Sequence, residues 1–514
     1  MRRRQVLRAG GAALTLPLLG TQATARSSGQ SDESGYEPLG SVEIDSAFEA
    51  AVHHDGEIAY VAADDGLVSV DISEPENPST LAQRRDIDTG GEDMDLAWDL
   101  WPDGDRLVLA GPANPVPNTA QGFALFDISD PEAPEQVAWH STDFYIHNGF
   151  FAGDTVYLTA SGTREYPIVM VDVSDDEPEE VGRWSFVDAK PEWLDVSLGS
   201  RVLHDVYVQD DIAYLPYWDA GTVIADVSDP TDPTFLSRVG DFEREELADL
   251  SRRESRREYF TPAGNDHYTV VNEDATRLLV GKEAWAIPDS ESEGGTTGGP
   301  GGITIWDIED HESPERLGRI SPPESDDNTQ SGYFTTAHNC DIAGDRVYAS
   351  WYFGGVTVHD ISDPAEPDQL AWWRNPREAS FWTAQSAVPG ETFVAASADL
   401  SETSFGGKEA TPALYVFPDE EGTQEDAPGL IQNGSETPTP TPTPTPTQTP
   451  TETPTPSPTQ TATETPEPTA TGTQTGTDTP ESSDGDGAGF GIFSALTGLG
   501  GAMYALRRRT ERDE

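Results

Sequence analysis

Cysteine and lysine are almost missing from this chain. Of 514 residues one is cysteine, Cys340, and three are lysine, at positions 190, 282 and 408. A single cysteine excludes any internal disulfide. With 30 basic residues against 93 acidic ones the net charge is -63, and a load of that sign repels nucleic acid and anionic lipid, so neither is a partner of the head of this protein. Also missing are the motifs that announce common chemistries: there is no nucleophile-elbow Gly-x-Ser-x-Gly, no P-loop, and no Gly-x-Gly-x-x-Gly in a Rossmann context.

What is present is a repeat. An apolar run closes on Asp-Ile/Val and then a proline turn, as Leu-Val-Ser-Val-Asp-Ile-Ser-Glu-Pro at 67–75 and Phe-Ala-Leu-Phe-Asp-Ile-Ser-Asp-Pro at 123–131. The phrase returns around Asp172, Asp226, Asp307 and Asp360, and a seventh copy, Leu-Tyr-Val-Phe-Pro at 414–418, has lost the Asp. Asp71, Asp127, Asp172, Asp226, Asp307 and Asp360 each precede a turn whose backbone N–H groups a carboxylate can accept, so their expected role is to fix that turn; calcium binding would need a denser run of oxygen ligands. Short β-branched and aromatic runs before and after each phrase, bounded by Gly, Asp and Pro, make four strands per repeat, the content of a propeller blade. A fourth-strand phrase follows each proline turn except the last, and the missing one stands at the other end as Pro38-Leu39-Gly40-Ser41-Val42. The expected fold is all-β: a seven-bladed β-propeller over residues 36–418, closed by an N-terminal strand that completes the last blade and leaves no open sheet edge.

The phrase Leu/Val-x-Val-Asp-Ile-Ser-Asp-Pro-x-x-Pro resembles the LVIVD repeat family of archaeal and bacterial surface proteins, from Pro38 to Pro418. The resemblance implies a propeller at the cell surface and brings no general activity with it. The acids are spread over strands and loops, and such a lysine-poor surface is similar to that of extreme halophiles, where it serves solvation in brine.

The two ends read as export and anchorage. Residues 1–25 carry Arg2-Arg3-Arg4, an apolar stretch too short to span a bilayer and Ala23-Thr24-Ala25, a twin-arginine export signal. Residues 419–436 read as a linker holding the glycosylation sequon at Asn433. Residues 437–487 are a Thr/Pro-rich stalk, on the order of 130 Å long if fully extended, with threonines open to O-glycosylation. Residues 488–514 pair an apolar stretch just long enough to span a membrane with Arg507-Arg508-Arg509, which places that end in the cytoplasm. This segment resembles the PGF-CTERM sorting signal of haloarchaea, which implies removal by an archaeosortase in exchange for a lipid; Ala488 stands where the family has proline.

Chemistry is expected at the innermost strands. His147, His204 and His338 each precede a second-strand tyrosine by ten residues, and His267 fills the same slot with a slip of one. Four consecutive blades would thus present imidazoles along one arc of the central channel, with Ala50, Trp98 and Ala384 or Gln385 in that slot of the other blades and Cys340 one layer deeper. Converging imidazoles suit zinc, copper or iron; the competing reading is that they bond between blades and fill the channel. His53, His54, His140, His311 and His359 are out of register and read as surface or packing residues. Long insertions at 185–201, 241–266 and 321–336 all reach one rim, each leading into a histidine, and 242–259 has the composition of a helical lid. The Gly- and Ser-rich insertion at 288–301 reads as a flexible loop on another edge. Two functions fit: display of a rigid head that binds an extracellular ligand or protein at the loop-rich face, or, by analogy of fold with propeller oxidases such as methanethiol oxidase, a metal-dependent enzyme using the four histidines.

Overall fold

Six repeats fold as antiparallel meanders of four strands and the seventh as three, and the seven units follow one another around a ring. The computed structural model describes residues 35–430 apart from 54, 291, 293–294, 402 and 404–406. The export signal, sequon, stalk and C-terminal span named above lie outside the described residues. Among the described residues no helix is long and apolar enough to cross a membrane.

The innermost strands of blades one to seven are Ala47–Val52, Asp99–Asp103, Tyr145–Ala152, Tyr207–Gln209, Asp266–Val271, Cys340–Ala343 and Phe381–Val388. Each touches the next, and the seventh touches the first, so the ring is closed. Closure is by the expected route. Gly40–Glu43 pairs antiparallel with Ala413–Pro418, Gly40 opposite Val416 and Glu43 opposite Ala413, and supplies the outer strand that the seventh repeat lacks. The chain then packs onward past Pro418: Gly422–Thr423 adds in parallel to the outer strand of blade six, Asp368–Trp373, and Leu430 is buried, so 419–430 of the expected linker belongs to the head.

Middle strands are apolar on both faces because each sheet is sandwiched between two others; Val68, Val70, Leu107, Leu109, Val169 and Val171 are fully buried. The turn carboxylates act locally. The Oδ1 atom of Asp71, Asp127, Asp172, Asp226 and Asp360 accepts the N–H of the serine two residues on at 2.8–2.9 Å, and Asp307 accepts from Glu309 at 3.0 Å.

A second repeated device sits in the outer strands. At the same bulged register, opposite Ser69, Leu125, Met170, Ile224, Ile305 and Val358, stand Ala82, Ala138, Gly182, Ser237, Gly318 and Ala371. Space forces these small residues. A Cβ on Gly182 would lie 1.9 Å from the carbonyl of Pro230 in the next blade, and one on Gly318 would lie 1.8 Å from that of Pro364. The proline turn of one blade therefore seats on the small residue of its neighbour.

Candidate metal centre

The long insertions do gather on one face, where they form a cap. The first carries Phe186–Ala189, Pro191–Asp195 and Leu198–Ser200 as short helical turns, and the second carries the helices Arg244–Ala248 and Arg252–Glu258. The segment at 288–301, expected on another edge, joins them: it belongs to a hairpin, Ala286–Pro288 with Thr296–Gly298, and Arg257 bonds to both Asp289 and Thr297 across it at 2.9 Å. The physical reason is topological, since the connection from second to third strand leaves a blade at the same end as the connection between blades. From these loops Phe334, Trp285, Tyr352, Phe353 and Leu400 pack with Phe48, Trp98 and Trp382 into an apolar plug.

The histidines lie under this plug. Ring centroids are 4.4 Å apart for His147 and His204, 3.6 Å for His204 and His267, and 4.9 Å for His267 and His338. The file continues through Trp382, 4.1 Å from His338, then Phe48, 5.3 Å from Trp382 and 4.5 Å from Trp98. The layer is thus four imidazoles and three aromatics. Trp98 stands in it as expected; Ala50 and Ala384 do not. They line the channel deeper, with Cys340; in blade one the turn after the innermost strand is longer, so that Tyr60 lies opposite Ala51, nine residues back, where Tyr157 of blade three lies opposite Phe150, seven back.

Burial holds all four imidazoles neutral. It depresses their basicity, His338 to about 3, and the charge each would place on its neighbours adds to this for His204, His267 and His338. The nitrogen inventory is informative. Nδ1 of His338 meets the carbonyl of Trp382 at 2.6 Å and Nδ1 of His147 meets that of Ala113 at 2.7 Å. A carbonyl only accepts, so each Nδ1 carries the proton and each Nε2 keeps its lone pair, the arrangement that second-shell carbonyls impose on metal-bound histidine. Neither nitrogen of His267 makes a hydrogen bond, although the residue is 3% exposed.

Beside His267 lies a residue that the spacing argument missed. Glu283 places Oε2 3.2 Å from His267 Nδ1, and its other oxygen accepts from the Tyr352 hydroxyl. His267, Glu283 and His338 each offer a ligand atom within 4.8 Å of the others, the one such group among the described residues. Two imidazoles and a carboxylate match the donor set of His2Glu zinc sites and of non-haem iron. Burial raises the Glu283 acid to about 8 when no cation is near. The sequence carried a signal: an apolar second strand ends in Lys282-Glu283, and Lys282 is one of three lysines in the chain. Lys282 itself is paired with Asp266 and, at 2.9 Å, with Asp241.

Three of the expected ligands stand outside this group. His147 and His204 stand next to the three-residue group and outside it. Cys340 is a core residue, 1% exposed in a cluster with Ile305 and Val347, where burial and the nearby Asp341 push its thiol up, and it lies outside the three-residue group.

A closed ring of seven sheets, six of four strands and one extended to five, around an axial channel defines a seven-bladed β-propeller. The LVIVD repeat family matches residues 51–83 and 201–241, so the propeller contains LVIVD repeats. Among solved structures the chain is similar to the β-propeller domain of Cps50 (Swd1) from Myceliophteria thermophila, at 9% identity and a TM-score of 0.50, over 74% of this chain and 99% of that one. A protein from Desulfotomaculum acetoxidans aligns at 11% identity and a TM-score of 0.42, over 64% and 85% of the two chains. No curated protein matches. At these identities the likeness is one of fold.

Proposed function

We propose that this protein is an exported, surface-held propeller that binds a transition-metal ion in its channel through His267, Glu283 and His338. The observation that carries the reading is the convergence of two neutral imidazoles and a carboxylate at a buried point where His267 has no hydrogen bond. A buried imidazole without a hydrogen bond costs free energy that a bound ion would return. His147 and His204, neutral and stacked alongside, would exclude water and keep the ligand rings upright. Zinc, copper and iron all suit nitrogen donors with one carboxylate. The rest of the reading comes from the ends of the chain and its charge: export by a twin-arginine signal, a glycosylated stalk, a C-terminal anchor, and a halophilic archaeon as the source. The head would be displayed by the stalk, with the capped, loop-rich face as the surface offered to an extracellular ligand or protein.

The test is metal analysis of full-length protein purified in high salt, beside His267→Ala and Glu283→Gln. About one equivalent of zinc, copper or iron is expected in the parent and at least a tenfold loss in each variant. A parent holding far less than one equivalent after reloading with each of these metals overturns the reading.

A further inference from the structure

One position along from the histidine layer, the same seven strands build a second ring of different chemistry. Glu49, Asp99, Asn148, Asp205, Asn339 and Thr383 follow Phe48, Trp98, His147, His204, His338 and Trp382 and face a cavity of about 220 Å³ on the side away from the plug. None of the residues lining it is Lys, Arg or His. Four carboxylates therefore share a channel with no basic side chain among its walls: Glu49, Asp99 and Asp205, with 8%, 8% and 3% exposure, and Asp341, whose oxygens already accept the N–H groups of Ile342 and Ser386.

The amides are set as they would be around a cation. Asn339, 4% exposed, donates from Nδ2 to Glu49 Oε2 at 2.6 Å, and its Oδ1 has no hydrogen-bond partner. A buried carbonyl oxygen left bare beside three acids is an acceptor waiting for positive charge. Burial raises all three acids, Glu49 to about 7, and repulsion adds to it, from Glu49 and Asp205 on Asp99 and from Glu49 on Asp205. The three carboxylates do not bring their oxygens within 4.8 Å of one another. A bare ion cannot touch all three, whereas one that keeps its water can span them, and the cavity has room for roughly seven waters at about 30 Å³ each.

We infer that this ring binds a hydrated divalent cation of the magnesium or manganese class, with Glu49, Asp99, Asp205 and the Asn339 carbonyl as its oxygen partners. The site is separate from the histidine centre in donor type and position, and stands whether or not that centre holds metal.

The probe is Mn²⁺. Full-length protein in roughly 1 M KCl, where the screening length is about 3 Å and surface carboxylates are muted, is titrated with Mn²⁺ and followed by EPR. About one immobilised equivalent is expected, with affinity falling at least tenfold in Asp99→Asn/Asp205→Asn and unchanged in His267→Gln. Should the double variant not fold, Glu49→Gln carries the same expectation. Absence of immobilised Mn²⁺ in the parent, its persistence in the acid-ring variants, or its loss in His267→Gln alone would overturn the inference.

Discussion

The rim of this propeller and its channel treat aspartate in opposite ways. At the rim an Asp recurs six times in one setting, never fully buried, accepting the N–H two residues on; in Asp127, Asp172, Asp226 and Asp360 the hydrogen bonds from the following serine hold the acid below its usual range. In the channel and its cap an acid is a feature of some blades only: Glu49, Asp99 and Asp205 take one slot in three of the seven, and Glu283 and Asp219 stand alone. Burial raises Asp99, Asp205, Glu283 and Asp219 alike. Repetition marks what every blade needs in order to fold. Departure from the repeat marks where a blade has been given something else to do, because a stabilising turn is used wherever it fits while a buried charge is tolerated only against a return.

The contrast can be broken first at the seam. Deleting residues 36–43 strips the outer strand from blade seven and exposes the edge of Ala413–Pro418. Because closure couples all blades, a fall in melting temperature of roughly 10 °C or more, or outright aggregation, is expected by calorimetry in high salt. Circular dichroism and melting unchanged by the deletion would show that the ring does not depend on its clasp.

The next effect comes from Asp219 in the cap. Its Oδ1 accepts from Asn265 at 3.1 Å, and burial raises the acid to about 8 from 3.8. The folded state holds this proton at pH values where the unfolded chain has released it. Its contribution is therefore complete below about pH 4 and is lost as pH rises through about 8, a cost on the order of a few kcal/mol. Asp219→Asn should flatten the decline of stability between about pH 4 and pH 8 in denaturant titrations. An identical slope in the variant would show that the carboxylate ionises freely.

The rim gives the smallest effect, with the reverse sign. Asp172→Ala removes two bonds to Ser174, at 2.8 Å from N–H and 2.6 Å from the hydroxyl. A loss of about 1 kcal/mol is expected near neutral pH, and it should shrink in acid, where the lowered acid of the parent is itself protonated. Urea melts at two pH values measure this; a loss that stays constant would point to packing instead of the carboxylate.

Much of the ring was legible without coordinates. Counting fourth-strand phrases located the closing strand at residue 40, because a missing strand at one end and a spare at the other have a single economical solution. Spacing from the second-strand tyrosines aligned His147, His204 and His338, since innermost and second strands are joined by turns of similar length. The same ruler failed for blade one, where a longer turn sets Tyr60 opposite Ala51 and Phe48 takes the slot instead of Ala50, and for blade seven, where Trp382 takes it instead of Ala384. Glu283 comes from a second strand, outside any count made along the first. Glu49, Asp99 and Asp205 were hidden among 93 acids, because burial is what sets them apart.

By itself the sequence determined the number of blades, their order, the clasp and the identity of each turn, for these depend on contacts repeated at short range along the chain. Only the tertiary structure decided which side chains meet at the axis. Seven strands from distant parts of the chain converge there, and small local shifts of register choose whether an imidazole faces a carboxylate, a tryptophan or a bare amide oxygen.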